Sequence, residues 1–375
     1  MIDPFEFLDC LKLNGINFIT GVPDSLLKDF NSAVIETFSR KNHIISANEG
    51  NAVALAAGHY ISTGSIPLVY MQNSGLGNAV NPLVSLVDKH VYQIPMLLMI
   101  GWRGEPGTND EPQHHTQGNI TEEILKILQI PIFKINSLSD FKMILPSTLA
   151  LIKASPGPVA LLVSKDTFKS AGAVQEVESS KLISRELAIE TILDSLPLSS
   201  LIISTTGMIS REVFELREKN LQTHDYDFLT VGSMGHASSI ALTIAQNTKN
   251  HHVICLDGDG SLLMHMGSLG IIGQSNVTNL THIVLNNGAH DSVGGQPTVA
   301  LSINLKLISK SCGYSNSMSV DSIEQLKSEL ASLIKLDGPN FLEVVVKKGA
   351  RFNLKRPVFP PKDNLHKFMQ NLTEV

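Results

Sequence analysis

Two short segments hold residues whose types and spacing could do chemistry together: "DGDGS" at 257–261 and "LNNGAH" at 285–290. Each closes an apolar run, and one helix-length stretch separates them. In the first, Asp259 stands between Gly258 and Gly260, and Ser261 then starts a helix. Glycines let an anion approach the backbone, and a helix N-terminus presents free N–H groups and the positive end of its dipole. A carboxylate beside a diphosphate repels it unless a cation lies between them. Mg²⁺ suits that place, because it takes one carboxylate, neutral carbonyl oxygens and phosphate oxygens. If the two runs are neighbouring strands, an asparagine amide oxygen and a following backbone carbonyl from "LNNGAH" reach the same ion. Alone, the glycine-flanked aspartate is equally a plain tight turn, and its pattern is not the G-x-G-x-x-G of a dinucleotide site.

Other strand ends carry further candidates. In "ANEGNAVALAAG", Glu49 begins a helix so rich in alanine and glycine that close packing on every side is expected. A glutamate there is ordinarily an electrostatic cap worth about a few tenths of a kcal/mol, and the alternative is an acid–base group. "GVPDSLL" places Asp24 and Ser25 after the first strand, and "MQNSGLGN" places Asn73 after the third. "GWRGEPGTNDEPQHHTQGN" is long and polar for an α/β domain and suggests an active-site cover carrying Arg103, His114 and His115. Arg103 offers a planar donor fork to an oxyanion, with a salt bridge to Glu105 or Asp110 as the alternative. "ISTTGMIS" supplies Thr205, Thr206 and Gly207, whose hydroxyls are either an anion loop or helix caps. Gly232 and Met234 lie at another strand end, in "TVGSMGHASS".

The elements that must position these residues are legible as rhythm. Short apolar runs such as "IPLVYM", "IPMLLMIG", "GPVALLVS", "HVICLDG" and "THIVLNN" alternate with stretches of helical period. Runs that are apolar without alternation predict parallel strands covered on both faces. Gly157-Pro158 and Gly338-Pro339 open similar closing strands, so the halves look like two copies of one architecture. "KSAGAVQEVESSK", 169–181, is small, charged and aperiodic and is expected to be the linker. At the N-terminus, Asp3, Pro4 and Gly15 read as the cap, first turn and stop of a short helix. A net charge of -6 without a long basic run argues against nucleic acid as a partner. No run of about twenty apolar residues predicts a membrane span. Cys10, Cys255 and Cys312 are scattered and odd in number, which suggests reduced thiols and a cytoplasmic setting.

Asp259 and the asparagine pair about 27 residues later, with "NEG" before an alanine-rich helix, resemble the fingerprint of the thiamin-diphosphate-dependent 2-keto acid decarboxylases. The resemblance covers nearly the whole chain. It implies an α/β fold of two similar doubly wound parallel-sheet domains without a middle domain: a pyrimidine-binding domain at 1–168 and a diphosphate-binding domain at 182–375. It implies thiamin diphosphate and Mg²⁺ as cofactors, with Asp259, the Asn287 side chain and the Ala289 carbonyl as metal ligands. Gly258, Gly260, Ser261, Thr206 and Gly207 would then line the diphosphate. Glu49 would bond the aminopyrimidine ring, Gly232 would accept from its amino group, Met234 would prop the bent cofactor, and Asn73 would meet the thiazolium.

By the same resemblance, Ser25, Asp24, Arg103 and His115 would contact the substrate, and His114 and His290 would transfer protons with Glu49. The members without a middle domain act on a 2-keto acid bearing a 3-phosphonate or 3-sulfonate group, and the fusion of both halves in one chain favours phosphonate. A homo-oligomer, at least a dimer, is expected. The sequence departs from the pattern where pyruvate-type enzymes carry a glutamate after the asparagines. Val293 falls near that place, so His290, Asp291 or the histidine pair must deliver the last proton.

Overall fold

The computed structural model describes residues 1–172 and 181–373. Of the expected linker, 169–181, residues 173–180 lie outside the described residues. The chain divides into two compact units, 1–177 and 178–375.

The first unit holds strands β1 (Ile19–Gly21), β2 (His43–Ile45), β3 (Leu68–Gln72), β4 (Met96–Gly101), β5 (Ile132–Ile135) and β6 (Pro158–Val163). They form one sheet in the order β2-β1-β3-β4-β6-β5, and each pairing is parallel. Alternate residues of one strand serve opposite cores. Leu68 and Tyr70 of β3 join Phe7, Phe30 and Leu145 on one face, while Val69 and Met71 join Ala52, Leu76 and Leu125 on the other. This two-sided burial is why the run is continuously apolar. The N-terminal helix, Pro4–Leu13, is capped as expected, with Asp3 accepting from Phe5 N and Glu6 N.

The second unit repeats the plan with β7 (Leu201–Ser204), β8 (Asp227–Leu229), β9 (Val253–Gly258), β10 (Leu280–Asn286), a short hairpin of β11 (Ala289–His290) and β12 (Gln296–Pro297), β13 (Asn316–Val320) and β14 (Asn340–Val345). Its six-stranded sheet runs β13-β14-β10-β9-β7-β8. Strand β13, "NSMSV", is absent from the apolar runs of the sequence because it is an edge strand in which only Ser317 and Val320 are buried. In each sheet the strand order first reverses between β1 and β3 and between β7 and β9. Ligand crevices form outside the carboxyl ends of strands at such points. Asp24 and Asn73 in the first unit, and Thr205 and Asp259 in the second, follow those strand ends. Among the described residues no helix is long and apolar enough to cross a membrane.

Two local expectations change. The helix Glu49–Thr63 buries only one face, through Ala52, Val53, Ala56 and Ala57, and leaves Leu55 and Ile61 exposed. The polar stretch after β4, expected as a cover, is loop only as far as Glu111, because the helix Pro112–Ile127 begins inside it. Pro112 supplies a preset first turn. Gly118 reads as a loop residue but lies within this helix, where a Cβ would stand 1.7 Å from the Gly104 carbonyl oxygen.

Candidate active site

In the second unit, Asp259 begins the helix Asp259–Met264 directly after β9 and is 3% exposed. Strands β9 and β10 are paired in register, Leu285 opposite Gly258, so the asparagine turn falls beside the aspartate turn. Asp259, Asn287 and Ala289 line one cavity of about 80 Å³ together with Thr205, Thr206, Ser261 and His290. Gly258, Gly260 and Met234 also line it, and Gly232 is not among its lining residues. A Cβ on Gly260 would lie 2.8 Å from the His290 ring and 3.4 Å from Met234 Cε, so a side chain there would fill the cavity. Gly207 is not among the lining residues either; at φ 96° it caps the helix Met208–Lys219 in a conformation that favours glycine. Ser261 accepts from Gly235 N at 3.1 Å and lies 2.9 Å from the Thr205 hydroxyl, which fixes both hydroxyls at the cavity wall.

The two asparagines have separate tasks. Asn286 is fully buried, donates to Glu343 at 2.7 Å and accepts from Gly288 N at 3.1 Å, so it ties β10 to β14 and shapes the turn. Asn287 faces the cavity, donates from Nδ2 to Asp291 at 2.6 Å and accepts at Oδ1 from Ala289 N at 3.0 Å. The oxygen donors of Asp259, Asn287 and Ala289 are a hard set that could hold a divalent cation. Burial pushes the Asp259 carboxyl up to about 6; hydrogen bonds from Thr298 and the Gly260 backbone oppose this, and Asp291 adds to it. Beneath the turn, Asp257 accepts from Gly258 N at 2.9 Å and lies 3.3 Å from His282, whose ring reaches the Tyr314 hydroxyl at 3.1 Å.

His290 is 9% exposed, and burial lowers its pKa to about 4 against the opposing charge of Asp291. Burial thus favours the neutral ring in this fold. Asp291 is engaged by Arg185, Asn287 and the Gly349 N–H. Val293 lies in the turn Asp291–Val293 and has no titratable group.

In the first unit, Glu49 is 5% exposed at the start of its helix, behind the Asn48 cap. Asn78 donates to its Oε2 at 2.7 Å. Its Oε1 faces Gly75, where a Cβ would stand 2.4 Å away. Asn78 as the partner of Glu49 was not legible in the sequence.

Asn73, the expected thiazolium contact, and the substrate candidates are more tightly tied than their residue types suggest. Asn73 is fully buried and donates to the Arg103 carbonyl at 2.8 Å and to Thr121 at 2.9 Å, while accepting from Arg103 N at 3.2 Å. Its carboxamide thus joins the end of β3, the loop after β4 and the following helix. Arg103 donates to Asp110 from both Nε and Nη2 and to Ser25 Oγ from Nη1 at 2.7 Å. The salt-bridge alternative to an oxyanion fork is the one present. The histidine pair lies on the helix Pro112–Ile127, with His114 buried and His115 exposed.

Asp24 is fully buried, with Oδ2 accepting from Leu26 N at 3.2 Å. Burial pushes its carboxyl from 3.8 up to about 6, against the nearby Arg103 charge. A raised carboxyl pKa favours the neutral form in the fold. Its stability contribution is complete below the unfolded pKa and lost as pH rises through about 6. At about 1.4 kcal/mol per pKa unit, the loss is on the order of 3 kcal/mol. Asp24→Asn should therefore raise the unfolding free energy near pH 7.5, with the gain shrinking toward pH 4. Urea titrations at the two pH values check this, and a gain that does not depend on pH would count against the assigned cause.

The N-terminal TPP binding domain of the thiamine pyrophosphate enzymes matches residues 6–125, and the C-terminal TPP binding domain matches residues 205–344. Phosphonopyruvate decarboxylase from Streptomyces viridochromogenes is 34% identical, across 100% of this chain and 96% of its own. The enzyme of the same name from Streptomyces hygroscopicus is 31% identical, across 100% and 95%. Sulfopyruvate decarboxylase from Methanosarcina acetivorans is 27% identical, across 99% and 98%. With both domain models matched and relatives aligned end to end, the chain belongs to the thiamine-pyrophosphate-dependent decarboxylase family that includes phosphonopyruvate decarboxylase.

Proposed function

We propose that this chain converts 3-phosphonopyruvate to phosphonoacetaldehyde and CO₂, with thiamin diphosphate held through Mg²⁺. The observation that carries the metal part is the shared cavity of Asp259, Asn287 and Ala289, a donor set of one carboxylate and two neutral oxygens. Bound thiamin diphosphate supplies the electron sink for loss of CO₂, which no side chain can provide. Asp259, Asn287 and the Ala289 carbonyl would hold Mg²⁺ against the diphosphate. Ser261, Thr206, Gly207 and the glycines of the turn would bind the phosphate oxygens. Glu49 Oε1, the oxygen that Asn78 leaves open to the Gly75 side, would hold the proton exchanged with the aminopyrimidine. Arg103, already fixed by Asp110, would orient Ser25 toward the substrate carboxylate.

Phosphonate is favoured over sulfonate by the higher full-length identity to the two phosphonopyruvate decarboxylases. Fusion of the two halves does not discriminate, contrary to the expectation from sequence, because the Methanosarcina sulfopyruvate decarboxylase spans the whole chain too. A homo-oligomer, at least a dimer, and a cytoplasmic setting complete the proposal. The exposed Leu55 and Ile61 on the helix of Glu49 support the association. Steady-state comparison of phosphonopyruvate, sulfopyruvate and pyruvate is the test. The expected kcat/KM for phosphonopyruvate exceeds that for pyruvate by at least about 100-fold, as for sites built around a polar group that the competitor lacks. A preference for sulfopyruvate would reassign the substrate and leave the reaction class intact.

A further inference from the structure

We propose that Asp291 is a positioning residue that fixes which end of the Asn287 carboxamide faces the metal. A primary amide carries a donor end and an acceptor end of nearly equal shape, and only the oxygen can serve as a ligand. Rotation by half a turn would present the NH₂ group to the cation instead. The neighbours of Asn287 decide between the two. The Asp291 carboxylate only accepts, and its Oδ2 takes Asn287 Nδ2 at 2.6 Å. The Ala289 N–H only donates, and it gives to Asn287 Oδ1 at 3.0 Å. In the rotated amide, oxygen would face carboxylate and NH₂ would face N–H, so both contacts would become repulsive.

Asp291 is itself held from elsewhere in the unit. Its Oδ2 also accepts from Arg185 Nη1 at 2.8 Å and from Gly349 N at 3.0 Å. Arg185 is anchored on its other edge by Glu212, with Nε donating to Oε2 at 2.8 Å and Nη2 to Oε1 at 3.0 Å. Arg185 and Glu212 are 4% and 1% exposed, so their positions are set by packing and not by a mobile surface pair. The chain of contacts runs Glu212, Arg185, Asp291, Asn287, cavity. Asp291 thereby has a role other than delivering the last proton. Outer partners of metal ligands commonly contribute about 10- to 100-fold to metal affinity.

The inference rests on the Mg²⁺ site proposed above, and the test separates the two. All three bonds to Asp291 end on one oxygen, so the amide oxygen of an Asp291→Asn variant can replace it, whereas Asp291→Ala cannot. Removing the carboxylate leaves Arg185 paired with Glu212, which keeps the buried charges balanced. Mn²⁺ is titrated by paramagnetic resonance into the full-length wild type, Asp291→Ala and Asp291→Asn, each with thiamin diphosphate present. The expected result is Mn²⁺ affinity at least about tenfold weaker in Asp291→Ala and within about threefold of wild type in Asp291→Asn. Turnover of Asp291→Asn should be recovered at saturating Mg²⁺. Wild-type affinity in Asp291→Ala, with only a lower unfolding midpoint, overturns the proposal in favour of a structural role. Equal weakening in both variants overturns it in favour of a charge effect. Normal metal affinity with lost turnover in Asp291→Asn would make Asp291 the proton donor instead. Failure of the wild type to bind Mn²⁺ would sink the metal site itself.

Discussion

Glu49→Gln should lower turnover by about 10²- to 10⁴-fold, the usual contribution of a positioned acid–base group, while thiamin diphosphate still binds within about threefold of wild type. The geometry explains why so small a change matters. Asn78 donates to Glu49 Oε2, so a glutamine there must turn its amide oxygen toward Asn78. Its NH₂ then occupies the position of Oε1 beside Gly75, where Glu49 offers an acceptor. A proton-accepting oxygen is replaced by a permanent donor with almost no change of volume. If Glu49 were only a helix cap, the same substitution would cost about a few tenths of a kcal/mol in stability and leave activity unchanged. Single-turnover kinetics and cofactor calorimetry on one preparation decide the matter. Normal turnover would remove Glu49 from the chemistry.

Asp259→Ala should weaken thiamin diphosphate and Mg²⁺ binding by at least about 100-fold, since it deletes the only carboxylate in the proposed ligand set. The apo protein should not suffer. Burial already pushes this carboxyl up to about 6, so its charge is held at a cost that an alanine does not carry. The distinguishing readout is thermal. Ligand bound to the folded state adds about 2.7 kcal/mol when present at 100 times its dissociation constant. Wild type should therefore gain a raised unfolding midpoint on adding cofactor with Mg²⁺ and lose it on adding EDTA. Asp259→Ala should start at or above the wild-type apo midpoint and show almost no gain. A variant that retains the full gain would place the diphosphate elsewhere.

Strand and helix order was legible because continuous apolar runs report burial on two faces, a property each strand carries in its own residues. Glu49, Asp259 and Asn287 were legible for a related reason, since each is a polar residue at the end of such a run. The edge strand β13 escaped this signal because one of its faces does not need apolar side chains. The histidine pair was legible as residue types, but which of the two turns inward depended on the helix that begins at Pro112.

The division of labour between Asn286 and Asn287, the capture of Arg103 by Asp110 and the anchoring of Asp291 belong to the tertiary structure alone. Asn286 meets Glu343 57 residues away, and Arg185 meets Asp291 106 residues away. Periodicity and motif spacing record what a residue needs from its own element: a buried face, a cap, a glycine where the backbone comes close. They do not record which distant donor satisfies a given oxygen, because that choice is made only when separate strands and helices pack. By itself, the sequence determined the two parallel sheets and the strand ends at which a phosphorylated cofactor can be held. Only folding decided which polar atoms remain turned toward it, since each buried amide and carboxylate must first find its partners.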